Sequence, residues 1–171
     1  VVDSDDGDVA VRTENAPRRR KALSTEVRTE LLAEMGGYIA GPACGAIVLT
    51  GAAQTFCAGG DISQMKPPPG MTPGAYSNVR MGMLHDAVRH IAAGPKPVVA
   101  AVEGHAAGAG MSLAAACDYV VAAENARFIA SFAKIGLIAD CGLLWSLPHR
   151  IGHARARDLL LTARTVDAGE A

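Results

Sequence analysis

Two stretches of the chain set glycine-rich backbone directly after an apolar run. Phe56-Cys57-Ala58-Gly59-Gly60-Asp61 follows the run 46–50, and Gly104-His105-Ala106-Ala107-Gly108-Ala109-Gly110 follows the run 98–102. If each run is a buried strand and each turn leads into a helix, the turn presents amide N–H groups that the helix cannot use, at the positive end of its dipole. Such groups suit an anion, or an oxyanion that develops during a reaction. Small residues at a strand-to-helix turn also serve simply to let the two elements touch, and a single segment does not separate these readings. Finding two in one short chain shifts the balance toward chemistry.

The elements that must position these turns are legible as patterns. Ala46-Ile47-Val48-Leu49-Thr50 is continuous, apolar and bounded by glycines, as a strand buried on both faces would be. Residues 98–102 read the same way, 119–122 reads as a third strand, and 9–12 reads as a short one. Ser24 is an N-cap candidate with Glu26 in the first turn, and Leu23, Val27, Leu31, Met35 and Ile39 recur every four residues before Gly41-Pro42. Residues 66–74, with four prolines, predict an irregular loop. A second helix follows on Ala75, Val79, Met83, Ala87 and Ile91 and ends at Gly94-Pro95, and 111–117 predicts a third. Strand, turn and helix in alternation predict one α/β layered domain over residues 1–171 with parallel strands.

Composition narrows the function classes. The 171 residues carry 16 Lys plus Arg against 17 Asp plus Glu, so no global field draws nucleic acid or an acidic membrane, and an anion must be held locally. Half of the residues are hydrophobic, enough for a sizeable core. Cys44, Cys57, Cys117 and Cys141 include no C-x-x-C pair, which fits a reducing cytoplasm. The acidic start at Asp3, Asp5, Asp6 and Asp8 is not a secretory signal, and glycines with Pro42 break the uncharged stretch between Glu34 and Asp61 as a membrane span. The five histidines form no H-E-x-x-H and have no cysteine pair beside them, so no metal is expected. Asp61 reads as a cap or turn residue, Cys57 and Cys141 as small buried hydrophobes, and Trp145 as packing.

Residues 46–62 (AIVLTGAAQTFCAGGDI) and 96–118 (KPVVAAVEGHAAGAGMSLAAACD) resemble the two signature segments of the enoyl-CoA hydratase/isomerase, or crotonase, superfamily. The likeness runs from about Val9, where NAPRRRKALS resembles the family's N-R-P-x-x-R-N-A-L-S, to the last residues. The resemblance implies an α/β crotonase (ClpP/crotonase) fold of stacked strand-strand-helix turns. It also implies a coenzyme A thioester whose carbonyl oxygen lies between two backbone amides, which by position belong to Ala58 and Ala109. Gly59, Gly60 and Gly108 then border the thioester, and Ala22 and Leu23 lie beside the CoA moiety. Arg20, in the basic turn 18–21, becomes a candidate for the CoA phosphates, which guanidinium groups hold well; a solvated loop explains that turn equally. Coenzyme A belongs to the substrate, so no separate cofactor is implied.

Hydration of a double bond takes two carboxylates, one as base and one as acid. Aligned on the signature, Ser112 and Phe132 stand at the two hydratase glutamate positions, so ordinary hydratase chemistry is not expected. Residues 136–148 (GLIADCGLLWSLP) resemble the G-L-x-P-D-x-G-G-T-W-x-L-P stretch of the ring-epoxide isomerase branch of phenylacetate degradation, with Ala139 for proline and Leu143 for glycine. The resemblance makes Asp140 the one catalytic carboxylate, and an apolar wall such as Phe132 would desolvate it into a better base. One carboxylate beside an oxyanion hole moves a proton, which shifts a double bond or opens an epoxide. The plainer alternative is that Asp140 caps a helix starting near Gly142.

Three other readings stand beside the isomerase: a hydratase-type lyase of fatty-acid β-oxidation, a Clp-type serine protease, and a catalytically silent CoA-binding fragment. The protease is disfavoured because Gly108 fills the nucleophile slot, with Ser112 one helical turn on. The family implies a homotrimer or hexamer built by C-terminal helices beyond residue 171. Without them Ala156, Leu159, Leu160 and Ala163 of the helix 153–163 are expected to lie uncovered.

Overall fold

Four parallel strands carry the two glycine-rich turns. The computed structural model describes residues 2–6, 8–14 and 22–171, with side chains at 8–11 and from 22 onward. β1 (Val2–Asp6), β2 (Val9–Glu14), β4 (Ala46–Gly51), β6 (Val98–Val102) and β8 (Tyr119–Ala122) form a sheet in the order β1-β2-β4-β6-β8. β4 pairs with β6 in parallel, with Ile47 opposite Val98 and Thr50 opposite Ala101. The turns that leave these two strands therefore lie at the same end of the sheet, beyond the C-terminal ends of neighbouring strands. β1 departs from the expected parallel pattern, pairing antiparallel with β2.

Shorter strands place the turns themselves. β3 (Ala22–Leu23) pairs with β5 (Gly59–Gly60), and β7 (His105–Ala107) pairs with β9 (Arg127–Ile129), which β10 (Thr165–Asp167) flanks antiparallel. The helices are α1 (Thr25–Ala40), α2 (Pro73–Ala93), α3 (Ala109–Ala116), α4 (Leu143–Ile151) and α5 (His153–Thr162). Ser24 caps α1 as expected, its hydroxyl accepting from Val27 N at 3.4 Å, and Gly41 ends the helix. α2 begins earlier than the prolines suggest. Thr72 is its N-cap, accepting from Ala75 N at 3.2 Å, and Pro73 sits at the first turn, where the missing N–H costs nothing. None of the described helices is long and apolar enough to cross a membrane.

The buried faces of α1 and α2 differ from the four-residue stripes read in the sequence. α1 buries Arg28, Leu31 and Met35, and α2 buries Arg80, Leu84, Ala87, Val88 and Ile91, while Val79 is 55% exposed. A strict step of four drifts by roughly 40° at each repeat of a helix that turns 100° per residue, so it cannot stay on one face. The true faces mix steps of three and four, and each takes an arginine inside.

One continuous core joins these faces to β4, β6 and α3. Leu113, at its centre, is fully buried. Leu113→Ala is expected to cost about 2–5 kcal/mol, read as a lowered midpoint in urea unfolding at unchanged slope. α5 also turns inward more than expected: Ala156, Leu159 and Ala163 are buried, and Leu160 partly so. Apolar exposure appears instead at Ile138, Leu144, Trp145 and Leu161. Ile138, Leu144 and Leu161 border a cleft of about 500 Å³.

Candidate active site

Around the candidate oxyanion site, two backbones are pressed together. Cys57 N donates to His105 O, and Ala107 N donates back to Cys57 O, both at 2.9 Å. Gly59 has φ +92°, and a Cβ built there would lie 2.7 Å from Ala107 O and 3.4 Å from Ala109 N. A Cβ on Gly110 would overlap the Cys57 carbonyl. These two glycines are thus required by the approach of the turns, and the approach brings residue 59 against the Ala109 amide. Gly108 N is spent on Ile129 O at 2.8 Å, and Gly108, with φ +51°, is the N-cap of α3. Ala109 opens the helix, so its N–H has no partner one turn back. Among the described residues, the hydrogen bonds that close these turns use neither the Ala58 nor the Ala109 N–H.

The far end of α3 is anchored by Arg150 of α4. Its Nε donates to Ala115 O at 2.8 Å and its Nη2 to Cys117 O, a cation placed where the helix dipole is negative.

Asp140 reaches the same neighbourhood through the short turn Ser131–Ile135, in which Phe132 is buried. Asp140 is half-buried, and its Oδ1 is fully covered without a hydrogen-bond partner. Ser112, also buried, donates its hydroxyl to Asp140 O at 3.1 Å, and Leu143 N donates to the same carbonyl at 3.1 Å. The main chain of residue 140 is tied to α3 while Oδ1 of its carboxylate has no hydrogen-bond partner. Asp140 does not cap α4. That N-cap is Gly142, with no side-chain hydrogen bond, and Cys141 and Gly142 both have positive φ. The Cys141 thiol is pushed up by burial first and then by the neighbouring carboxylate, which keeps it protonated and unreactive.

The register of β3 against β5 sets Ala22 opposite Gly59 and Leu23 opposite Gly60, so the backbone expected beside CoA adjoins the 58–60 turn. Arg20 and its basic turn lie outside the described residues. Asp61 behaves as a turn residue, accepting from Ser63 N at 3.0 Å and Ser63 Oγ at 2.6 Å. Trp145 packs at the surface: it is 62% exposed and tilts against the His149 ring at 4.4 Å.

Two residues that the sequence reading passed over stand close by. Arg28, 3% exposed, donates from Nε to Leu23 O and from Nη1 to Arg80 O, each at 2.9 Å. Its Nη2 lies 3.2 Å from the point where a Cβ of Gly60 would be. Burial, then the like charge of Arg80, holds its guanidinium below the ordinary value, while Cys141, Asp140 and Cys57 act the other way. A stripe stepped by three and four would have put Arg28 and Arg80 on the inner faces.

The family model for enoyl-CoA hydratase/isomerase matches residues 5–171. The 1,2-epoxyphenylacetyl-CoA isomerase of Escherichia coli (strain K12) is 38% identical over 164 residues, covering 95% of this chain and 62% of that protein. A probable enoyl-CoA hydratase of Rhodobacter capsulatus is 39% identical over 164 residues, covering 95% and 61%. Among solved structures, the enoyl-CoA hydratase from Bacillus anthracis superposes with a TM-score of 0.91 at 30% identity, over 100% of this chain and 65% of that one. The enoyl-CoA hydratase from Polaromonas sp. JS666 gives 0.90 at 36%, over 98% and 65%. The chain thus spans a little over three fifths of the length of the curated relatives it matches.

Proposed function

This chain belongs to the enoyl-CoA hydratase/isomerase family, and from that premise we propose that it binds an acyl-CoA thioester and isomerises the acyl group by moving a proton rather than adding water. The observation that carries this reading is the unpartnered, covered Oδ1 of Asp140, tied through Ser112 to the helix that Ala109 opens. The thioester oxygen accepts from the Ala58 and Ala109 N–H groups, which hold the negative charge as it develops and so ease loss of the proton from the carbon next to the thioester. Asp140 takes that proton and returns it to a more distant carbon. The double bond moves, and the carboxylate is restored. CoA lies beside Ala22 and Leu23, and Arg20 is the candidate to hold its phosphates.

Hydration is the second reading, favoured by the names of several relatives. Against it, Ser112 spends its hydroxyl on backbone carbonyls and Phe132 offers no proton. An ultraviolet assay separates the two. With a 3-enoyl-CoA, absorbance of the conjugated 2-enoyl thioester is expected to rise, and a 2-enoyl-CoA supplied in parallel is expected to keep its absorbance. Loss of the second signal would establish hydration and overturn the isomerase.

A further inference from the structure

Arg28 and Arg80 are an unusual pair to find inside a protein: 3% and 8% exposed, and close enough that Arg28 Nη1 donates to the Arg80 carbonyl at 2.9 Å. Each guanidinium carries five N–H hydrogens. Of the ten, two are donated among the described residues, both by Arg28 and both to backbone carbonyls. Arg80 donates none, and its Nε is fully covered without a partner. Its one contact of note is the Tyr76 ring, 5.4 Å from Cζ. Stacking engages the face of the guanidinium and leaves the hydrogens on its edge unspent. Native structures rarely leave buried donors in this state without a ligand or ordered water to receive them.

The pair is also well placed. Arg28 Nη2 lies against Gly60, two residues past Ala58, and Arg28 senses the charge of Asp140. Arg28 therefore brings the buried pair to the 58–60 turn, with Arg80 joined to it through the bond from Arg28 Nη1 to the Arg80 carbonyl. Asp140 does not satisfy them, since its own Oδ1 is unpartnered. The unspent donors are planar and cationic, which matches a carboxylate: two oxygens, four lone pairs and one negative charge.

We infer that Arg28 and Arg80 receive an anionic group on the substrate, and that the preferred thioester carries a carboxylate at the far end of a short acyl chain. The inference rests on the acyl-CoA reading above and narrows it to monothioesters of dicarboxylic acids. Arg80, with no hydrogen bond of its own to the protein, makes the main contact. Arg28, fixed by Leu23 and Arg80, supports it.

Calorimetric binding of two saturated thioesters with five-carbon acyl groups, glutaryl-CoA and pentanoyl-CoA, tests this without requiring turnover. In the unmodified chain glutaryl-CoA is expected to bind at least tenfold more tightly, the size of effect that charge-assisted hydrogen bonds give. Arg80→Met is expected to bring the two affinities within threefold of each other. Arg80→Lys, which keeps the charge, retains most of the preference, and circular dichroism reports whether each variant is folded. Equal affinities in the unmodified chain overturn the inference and leave the acyl-CoA reading standing, and that comparison depends on no variant. A preference unchanged in a folded Arg80→Met also overturns it. Failure of both thioesters to bind overturns the acyl-CoA reading, and the carboxylate preference falls with it.

Discussion

Asp140→Asn is expected to lower kcat for double-bond migration by about a thousandfold while leaving acyl-CoA affinity within a factor of about two, as loss of a general base does when nothing replaces it. The substitution leaves the backbone anchors of this residue in place. Oδ1 has no hydrogen bond to lose, and the contacts that fix this residue, from Ser112 Oγ and Leu143 N, reach its backbone carbonyl. Asparagine keeps the shape but removes a charge that favours the buried Arg28 guanidinium, so thermal stability should hold or fall slightly. Steady-state kinetics on the 3-enoyl-CoA, beside a melting curve, make the check. A kcat within tenfold of the unmodified chain would remove Asp140 from the chemistry.

The second large effect is expected at Gly59. Its backbone sits at φ +92°, and an added Cβ would press 2.7 Å from Ala107 O and 3.4 Å from Ala109 N. The left-handed conformation costs roughly 1–2 kcal/mol for an L-residue, and pushing the 107–109 backbone aside costs about 1–3 kcal/mol more. Gly59→Ala should therefore destabilise the fold by about 2–5 kcal/mol. It should also cut turnover more than about a hundredfold, because the two amides no longer converge on one oxygen. Gly70→Ala is the informative partner. Gly70 has φ +85°, yet nothing lies within 4 Å of an added Cβ, so it should show the conformational cost alone and normal turnover. If Gly59→Ala behaves like Gly70→Ala, the approach of the two turns does not matter to function.

The apolar runs at 46–50 and 98–102, the Ser24 cap and the glycine-bounded helix ends were readable because each is a local pattern of several residues. β3, β5, β7, β9 and β10 were not, since strands of two or three residues carry no periodicity and owe their existence to distant partners. The convergence of Gly59 and Gly110 on the opposite turn could be suspected from the glycines but not located by them. Arg28 and Arg80 were hidden for a different reason. A charged residue reads as solvent-facing, and the stepped-by-four stripes placed both off the buried face. Only the tertiary arrangement shows that the mixed steps 28-31-35 and 80-84-87-91 turn inward. Trp145 packs, but at the surface: α4 presents it outward against His149.

The two turns differ from Asp140 in how their contribution is inherited. Main-chain N–H groups at Ala58 and Ala109 survive almost any point mutation, because every residue except proline carries one. The steep losses come from the glycines around them, where added atoms meet backbone. The carboxylate of Asp140 is written in one codon and supported through its main chain, so it can vanish while the backbone that holds it stays in place. On the proposed chemistry, descendants of this chain would lose turnover by a single step far more readily than they would lose the ability to hold a thioester. Lineages of silent thioester binders are therefore the expected by-product of drift from such an ancestor, and rewriting the same codon would be the shortest route back.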